Sequence, residues 1–242
     1  MVRRFFKRFG YEIIKVAGEY SAHEREVFAK VRPYTGTSLE RISSLIGAIH
    51  YLSKNRVAGD FVECGVWRGG SMMVAMLTLL ELGDTSRDFY LFDTYEGMTP
   101  PTEKDVTHDG THAGKLLAMT EKREGPTYWC YATLEDVQKN VFSTGYPKER
   151  IHFIKGRVED TLPAQAPRNI ALLRLDTDWY ESTFHEMTHL YPLLCPKGVL
   201  ILDDYGYWQG SRRAVDEYFA KQPFTPLLHK LDFSGRLVIK PG

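Results

Sequence analysis

The chain reads as an α/β protein: a doubly wound, mostly parallel sheet of seven strands with an antiparallel C-terminal edge. Three observations predict it. From residue 59 onward, short apolar runs alternate with segments of helical period. A glycine-rich turn joins the first run to its helix, as in α/β crevices that bind ligands. The last two apolar runs flank Ser234-Gly235, which reads as a hairpin. With 242 residues there is chain enough for one such domain and a full core. Residues 1–242 are therefore expected to form a single domain, with an N-terminal helical arm over 1–58 and an insertion over 94–125.

The elements follow in order. Leu39, Ile42, Leu45, Ile46, Ile49 and Leu52 recur at helical spacing, so Ser38 to Lys54 is an amphipathic helix packed on the core. Strands are expected at Phe61 to Glu63, Phe89 to Phe92, Ile151 to Lys155, Ile170 to Leu175 and Val199 to Leu202. Helices are expected at Ser71 to Leu82, Leu134 to Phe142, Ser182 to Leu193 and Ser211 to Ala220. Pro196-Lys197-Gly198 turns the chain into the fifth strand, and Leu227 to Leu231 with Arg236 to Ile239 make the hairpin. Thr94 to Gly125 has glycines, prolines and many charges but little apolar period. Such a segment is expected to be a mobile lid.

Composition narrows the function. Lys plus Arg and Asp plus Glu each number 31, a net charge of +0, so no basic face is signalled for a nucleic acid. Cys64, Cys130 and Cys195 match no zinc or disulfide spacing, and a reduced, cytoplasmic setting follows as the expectation. No apolar run is long enough to span a membrane. The basic and aromatic residues 3–8 resemble the start of a signal peptide. Tyr11, Glu12, Lys15 and Glu19 interrupt its apolar region, so the stretch reads as a surface arm or a contact in a homo-oligomer, dimer or tetramer.

Two apolar strands end in bare carboxylates: Leu175-Asp176-Thr177-Asp178 and Leu202-Asp203-Asp204-Tyr205. Crowded like charges repel and lose hydration, and a divalent cation offsets that cost. All-oxygen ligands suit magnesium or calcium better than zinc. Helix capping explains one acid per strand end, not two at both.

The other informative stretch is Gly59 to Ser71, where a strand enters the turn Gly65-Val66-Trp67-Arg68-Gly69-Gly70. Glycines admit a ligand close to the backbone. Asp93, ending the second strand, is placed to accept bonds from two ribose hydroxyls. The dinucleotide fingerprint is not met, since Gly65 and Gly69 are separated by three residues. The looser turn and Glu63 before it favour S-adenosylmethionine. The methyl-donor site is expected at Glu63, Gly65, Ser71 and Asp93. Glu159 and Asp160, after the third strand, are further candidates through the adenine amino group, although helix capping by Asp160 explains that pair almost as well.

These residues together resemble the macrocin O-methyltransferase family, metal-dependent S-adenosylmethionine enzymes that methylate sugar hydroxyls of macrolide and aminocoumarin antibiotics. The resemblance rests on GDFVECGVWRGGS (59–71), LFDTYEG (91–97), Gly156 with EDTLP (159–163), LDTDWYEST (175–183), LYP (190–192) and GVLILDDY (198–205), nearly the whole chain in order. It implies a class I S-adenosylmethionine methyltransferase fold and a glycoside or sugar as the small-molecule acceptor. It implies that Asp176, Asp203 and Asp204 hold Mg2+ and that Asp178 is the general base. The residues agree in part, since Asp176 and Asp178 share a face where the strand continues.

Other residues carry weaker readings. His108 and His112 have metal-like spacing, but Gly110 between them argues against one helical face and imidazole suits magnesium poorly. Trp67 and Tyr95 are candidates for stacking on adenine, or plain packing. Glu181 and His185 read as a helix-surface pair. The rival functions are a catechol-type O-methyltransferase, a nicotinamide-dependent dehydrogenase and a catalytically silent binding relative.

Overall fold

A computed structural model of the protein describes residues 20–242. The basic, aromatic stretch at 3–8 lies outside them. Two helices, α1 (Ala22–Val31) and α2 (Leu39–Lys54), precede the sheet. Then come β1 (Asp60–Cys64), α3 (Gly70–Glu81), β2 (Phe89–Asp93), α4 (Ala113–Ala118), α5 (Leu134–Phe142), β3 (Ile151–Lys155), the single turn α6 (Val158–Thr161) and β4 (Ile170–Leu175). The chain closes with α7 (Tyr180–His189), β5 (Leu194–Leu202), α8 (Gln209–Phe219), β6 (His229–Lys230) and β7 (Arg236–Ile239). The strand order is β3-β2-β1-β4-β5-β7-β6. The first five strands run parallel, and β7 pairs antiparallel with both β5 and β6. This is the doubly wound sheet the sequence predicts.

Local chemistry sets the helix starts. Ser21 and Glu24 exchange bonds with each other's backbone N–H groups in a capping box. The Ser38 hydroxyl accepts from Arg41 N at 3.2 Å at the start of α2. The central strands are buried on both faces, and their side chains alternate between two cores. Phe61 and Leu172 face α2, α3 and α5, while Val62, Leu173 and Leu175 face α7 and α8.

Three elements differ from the sequence reading. The turn at Pro196-Lys197-Gly198 is absorbed into β5 as an irregularity: Ile170 pairs with Leu194 but Leu172 already pairs with Val199. The expected strand at Leu227 to Leu231 keeps ladder pairing only at His229–Lys230. The segment after β2 contains α4 and is pinned to the body over part of its length. The fully buried Asp105 accepts from the N–H groups of Thr102 (2.7 Å) and Tyr180 (2.8 Å). The Trp179 indole donates to Thr99 O, and Gln209 N to Val106 O. Ala113 and Leu117 pack with Trp179 and Trp208 in a small core of their own. Aromatic and alanine contacts hidden among charged residues give no periodic pattern, which is why the sequence reads as loop. Among the described residues, no helix is long and apolar enough to cross a membrane.

Candidate active site

A cavity of about 760 Å3 opens at the carboxyl ends of β1, β2, β4 and β5. One wall is the glycine turn. Gly65 has φ +82°, and a Cβ there would sit 1.9 Å from the Asp176 carbonyl oxygen, so only glycine lets the turn cross beside the acid loop. Asp93 organises that turn. One carboxylate oxygen accepts from Val66 N (2.7 Å) and Trp67 N (3.0 Å), the other from Tyr95 N (2.7 Å). Trp67 and Tyr95 both sit at positive φ, conformations those three bonds hold in place. Burial pushes the Asp93 carboxyl up against the pull of these donors.

Gly65, Ser71, Asp93 and Glu159 all line the cavity. Glu63 and Asp160 lie outside its lining. Glu63 is 1% exposed and turned to Arg174. Asp160 sits exposed in the first turn of α6, whose N-cap position is Arg157.

The acids divide into two groups. Oxygens of Asp176, Asp178 and Asp204 lie within 4.8 Å of one another. Burial raises the carboxyls of Asp176 and Asp204 well above the usual range, and raises Asp178 to about 7. Asp204 accepts from Asp178 N at 3.0 Å, and the two carboxylates face each other within the cluster. Asp178 stands at φ +67°, with Trp208 beside it. Between the acids, Thr177 donates to the buried Glu186 at 2.9 Å.

Asp203 is turned the other way, onto Arg174 and Arg41. Sheet register explains it. Arg174 of β4 lies between Glu63 of β1 and Ile201 of β5. Two residues on along the same face come Asp176 and Asp203. The buried guanidinium therefore meets Glu63 (2.7 Å), Asp176 (2.7 Å), Asp203 and the Thr37 hydroxyl (3.1 Å). Arg41 comes in from the start of α2 and pairs with Asp203 and, at 2.9 Å, with Asp232. Sequence reasoning missed both arginines. Arg174 had a signal, a cation inside an otherwise apolar, doubly buried strand, which must find anionic partners.

Three carboxylates crowded on one cavity wall, their carboxyls raised by burial, fit a divalent cation that takes oxygen ligands. His108 and His112 are not part of this group. His112 caps α4, accepting from Gly114 N, and His108 packs against Tyr207 and Phe233.

Comparison with known families gives one match over nearly the whole chain: the model described as macrocin O-methyltransferase (TylF) covers residues 7–238. The chain belongs to the macrocin O-methyltransferase family. A tetracenomycin-derivative 4'-O-methyltransferase of Streptomyces olivaceus, named for a dimethoxyrhamnosyl substrate, is 32% identical over 202 residues, 84% of this chain and 74% of that protein. The demethyldecarbamoylnovobiocin O-methyltransferase of Streptomyces niveus is 31% identical over 203 residues, 84% of this chain and 74% of that protein. The structure of the O-methyltransferase NovP superposes with a TM-score of 0.74 at 30% identity, covering 86% of this chain and 83% of that one. This macrocin O-methyltransferase relative is thus an O-methyltransferase with the class I fold that the sequence predicts.

Proposed function

We propose that the enzyme moves a methyl group from S-adenosylmethionine to a sugar hydroxyl of a glycosylated natural product, with magnesium at the acid cluster. The observation that carries this reading is the meeting of two features in one cavity. The Asp93-braced glycine turn lies on one side, and the cluster Asp176, Asp178 and Asp204 on the other. The names of the relatives support the glycoside, and the turn without a dinucleotide fingerprint supports the donor. Gly65, Ser71, Asp93 and Glu159 would hold the donor. Asp176 and Asp204 are the metal ligands that motif and geometry share, and Asp203 would join them by exchanging an arginine contact for the cation. When bound, the cation makes a neighbouring hydroxyl a better proton donor.

Asp178 is the base in this reading. Its value of about 7 matches a base working near neutrality. Asp178→Asn keeps the shape and removes the base. Turnover should fall by roughly 10²–10⁴, with magnesium and donor affinities kept. A rate that excess magnesium restores would instead make Asp178 a metal ligand, and would sink the base assignment.

A further inference from the structure

Buried acids in this fold are mostly met by cations or by several backbone donors. Glu63 has Arg174, Asp203 has Arg174 and Arg41, Asp93 has three backbone N–H groups and Asp105 two. Glu186 has neither among the described residues. It lies fully buried in α7 with Thr183 and Met187, and its Oε1 accepts one bond, from the Thr177 hydroxyl at 2.9 Å. Its Oε2 has no partner among the described residues. An ionised carboxylate would be stranded there, so the neutral form is favoured. Burial pushes the Glu186 carboxyl well above its usual range against the pull of the Thr177 hydroxyl, and Glu159, Asp204 and Asp176 push it the same way.

What Glu186 holds is the middle of the acid turn. Thr177 stands between Asp176 and Asp178 and lines the cavity, whereas Glu186 lies outside the lining. Asp178 stands at positive φ, a conformation that persists in a non-glycine residue only where the surroundings fix it. Three backbone donors help to shape the turn. Asp176 N donates to Cys64 O at 2.9 Å, Trp179 N to Thr177 O at 2.8 Å, and Asp178 N to Asp204 at 3.0 Å. The last of these runs through an acid of the cluster, and a cation on Asp204 would compete for the same carboxylate. The Thr177–Glu186 bond uses no acid of the cluster. A neutral acceptor also suits the place, because a further negative charge would make the neighbouring acids harder still to ionise.

Resting on the reading above, in which Asp176 holds the cation and Asp178 takes the proton, we propose that Glu186 is a positioning residue: as the buried acceptor for Thr177 it sets where Asp176 and Asp178 point. It acts through Thr177 and contributes no group to the cavity itself.

Magnesium affinity and S-adenosylhomocysteine affinity by calorimetry, with turnover on a panel of 4-nitrophenyl glycosides, test this in the full-length enzyme. Glu186→Leu removes the acceptor and should cost about 10–100-fold in magnesium affinity or kcat, the range for losing a group that orients a metal ligand. Glu186→Gln keeps a neutral acceptor of the same size and should stay within about threefold on both. Thr177→Val should reproduce the leucine variant's loss, and the two changes together should lose no more than either alone. Should Glu186→Leu fail to fold, Thr177→Val set against Glu186→Gln carries the same comparison. The double variant also separates positioning from folding. With both polar partners gone its urea midpoint should match the wild type or exceed it, while magnesium affinity and kcat stay low. S-adenosylhomocysteine affinity should hold within about twofold throughout. A double variant that regains magnesium affinity along with stability makes Glu186 a packing residue and overturns the proposal. So does a Glu186→Gln as impaired as Glu186→Leu, since the carboxyl's charge or proton would then be what matters. Both outcomes leave sugar methylation in place. A wild type that binds no magnesium and methylates no sugar, despite intact S-adenosylhomocysteine binding, overturns the parent reading and this inference with it.

Discussion

Arg174→Met removes the guanidinium that ties β1, β4 and β5 together at the cavity floor, and the consequences differ for its three carboxylates. Asp203 keeps Arg41, and Asp176, 29% exposed, can turn to water. Glu63 has no such recourse. It is buried, one of its oxygens already lacks a partner, and Arg174 is its ion-pair partner. Removing one member of a buried pair costs about 3–5 kcal/mol because the other charge is stranded. That loss should depend on pH. Glu63 sits at about 7 in the folded protein against 4.5 ordinarily, raised by burial despite the arginine. A carboxyl raised this far makes the folded state the better proton binder. Keeping it ionised costs about 3 kcal/mol above pH 7, and that cost disappears as pH falls toward 4.5. Near pH 6 Glu63 is mostly neutral and needs the arginine less. Urea unfolding should therefore show a deficit of about 3–5 kcal/mol for Arg174→Met near pH 8, and a clearly smaller one near pH 6. Adding Glu63→Gln should recover part of the pH 8 loss. Magnesium should stabilise the arginine-free protein more than the wild type, since the acid cluster has lost a neighbouring cation. Equal deficits at the two pH values, together with a double variant no better than the single one, would refute the reasoning.

Two further outcomes follow. Asp93→Ala should weaken S-adenosylhomocysteine binding by roughly 1–3 kcal/mol in calorimetry. The loss should pass through the released amides of Val66, Trp67 and Tyr95, so Asp93→Asn, which keeps one acceptor, should retain part of the affinity. Limited proteolysis should cut first between Met119, which is 71% exposed, and Gly125, and be slowed by S-adenosylhomocysteine. First cuts between Thr102 and Ala118 would contradict the pinning by Asp105 and the tryptophans.

Much of this architecture is legible in the sequence because it depends on local physics. Apolar runs of strand length, a glycine turn that tolerates no Cβ and acids at two strand ends are all properties of neighbouring residues. What stayed hidden depends on partners far along the chain. The insertion reads as loop because its anchors, Trp179, Tyr180, Trp208 and Gln209, lie some 75 to 110 positions away. The contacts among His108, Tyr207 and Phe233 are invisible for the same reason: the three share no motif and meet only when the hairpin tip closes under Gly206.

The division of the acids shows how register adds information that a motif lacks. As a string, Asp203 and Asp204 are equivalent; on a strand, adjacent residues point to opposite faces. Asp203 falls on the face of Arg174 and Glu63, where α2 delivers Arg41 from 162 positions away. Asp204 falls on the other and meets Asp178. The first face is nearly neutralised internally and holds the strands together. The second sets Asp204 against Asp178, and both faces border the cavity. A pair of acids at a strand end can thus be set in different surroundings, Asp203 among arginines and Asp204 against another acid, and the neighbouring strands decide which is which.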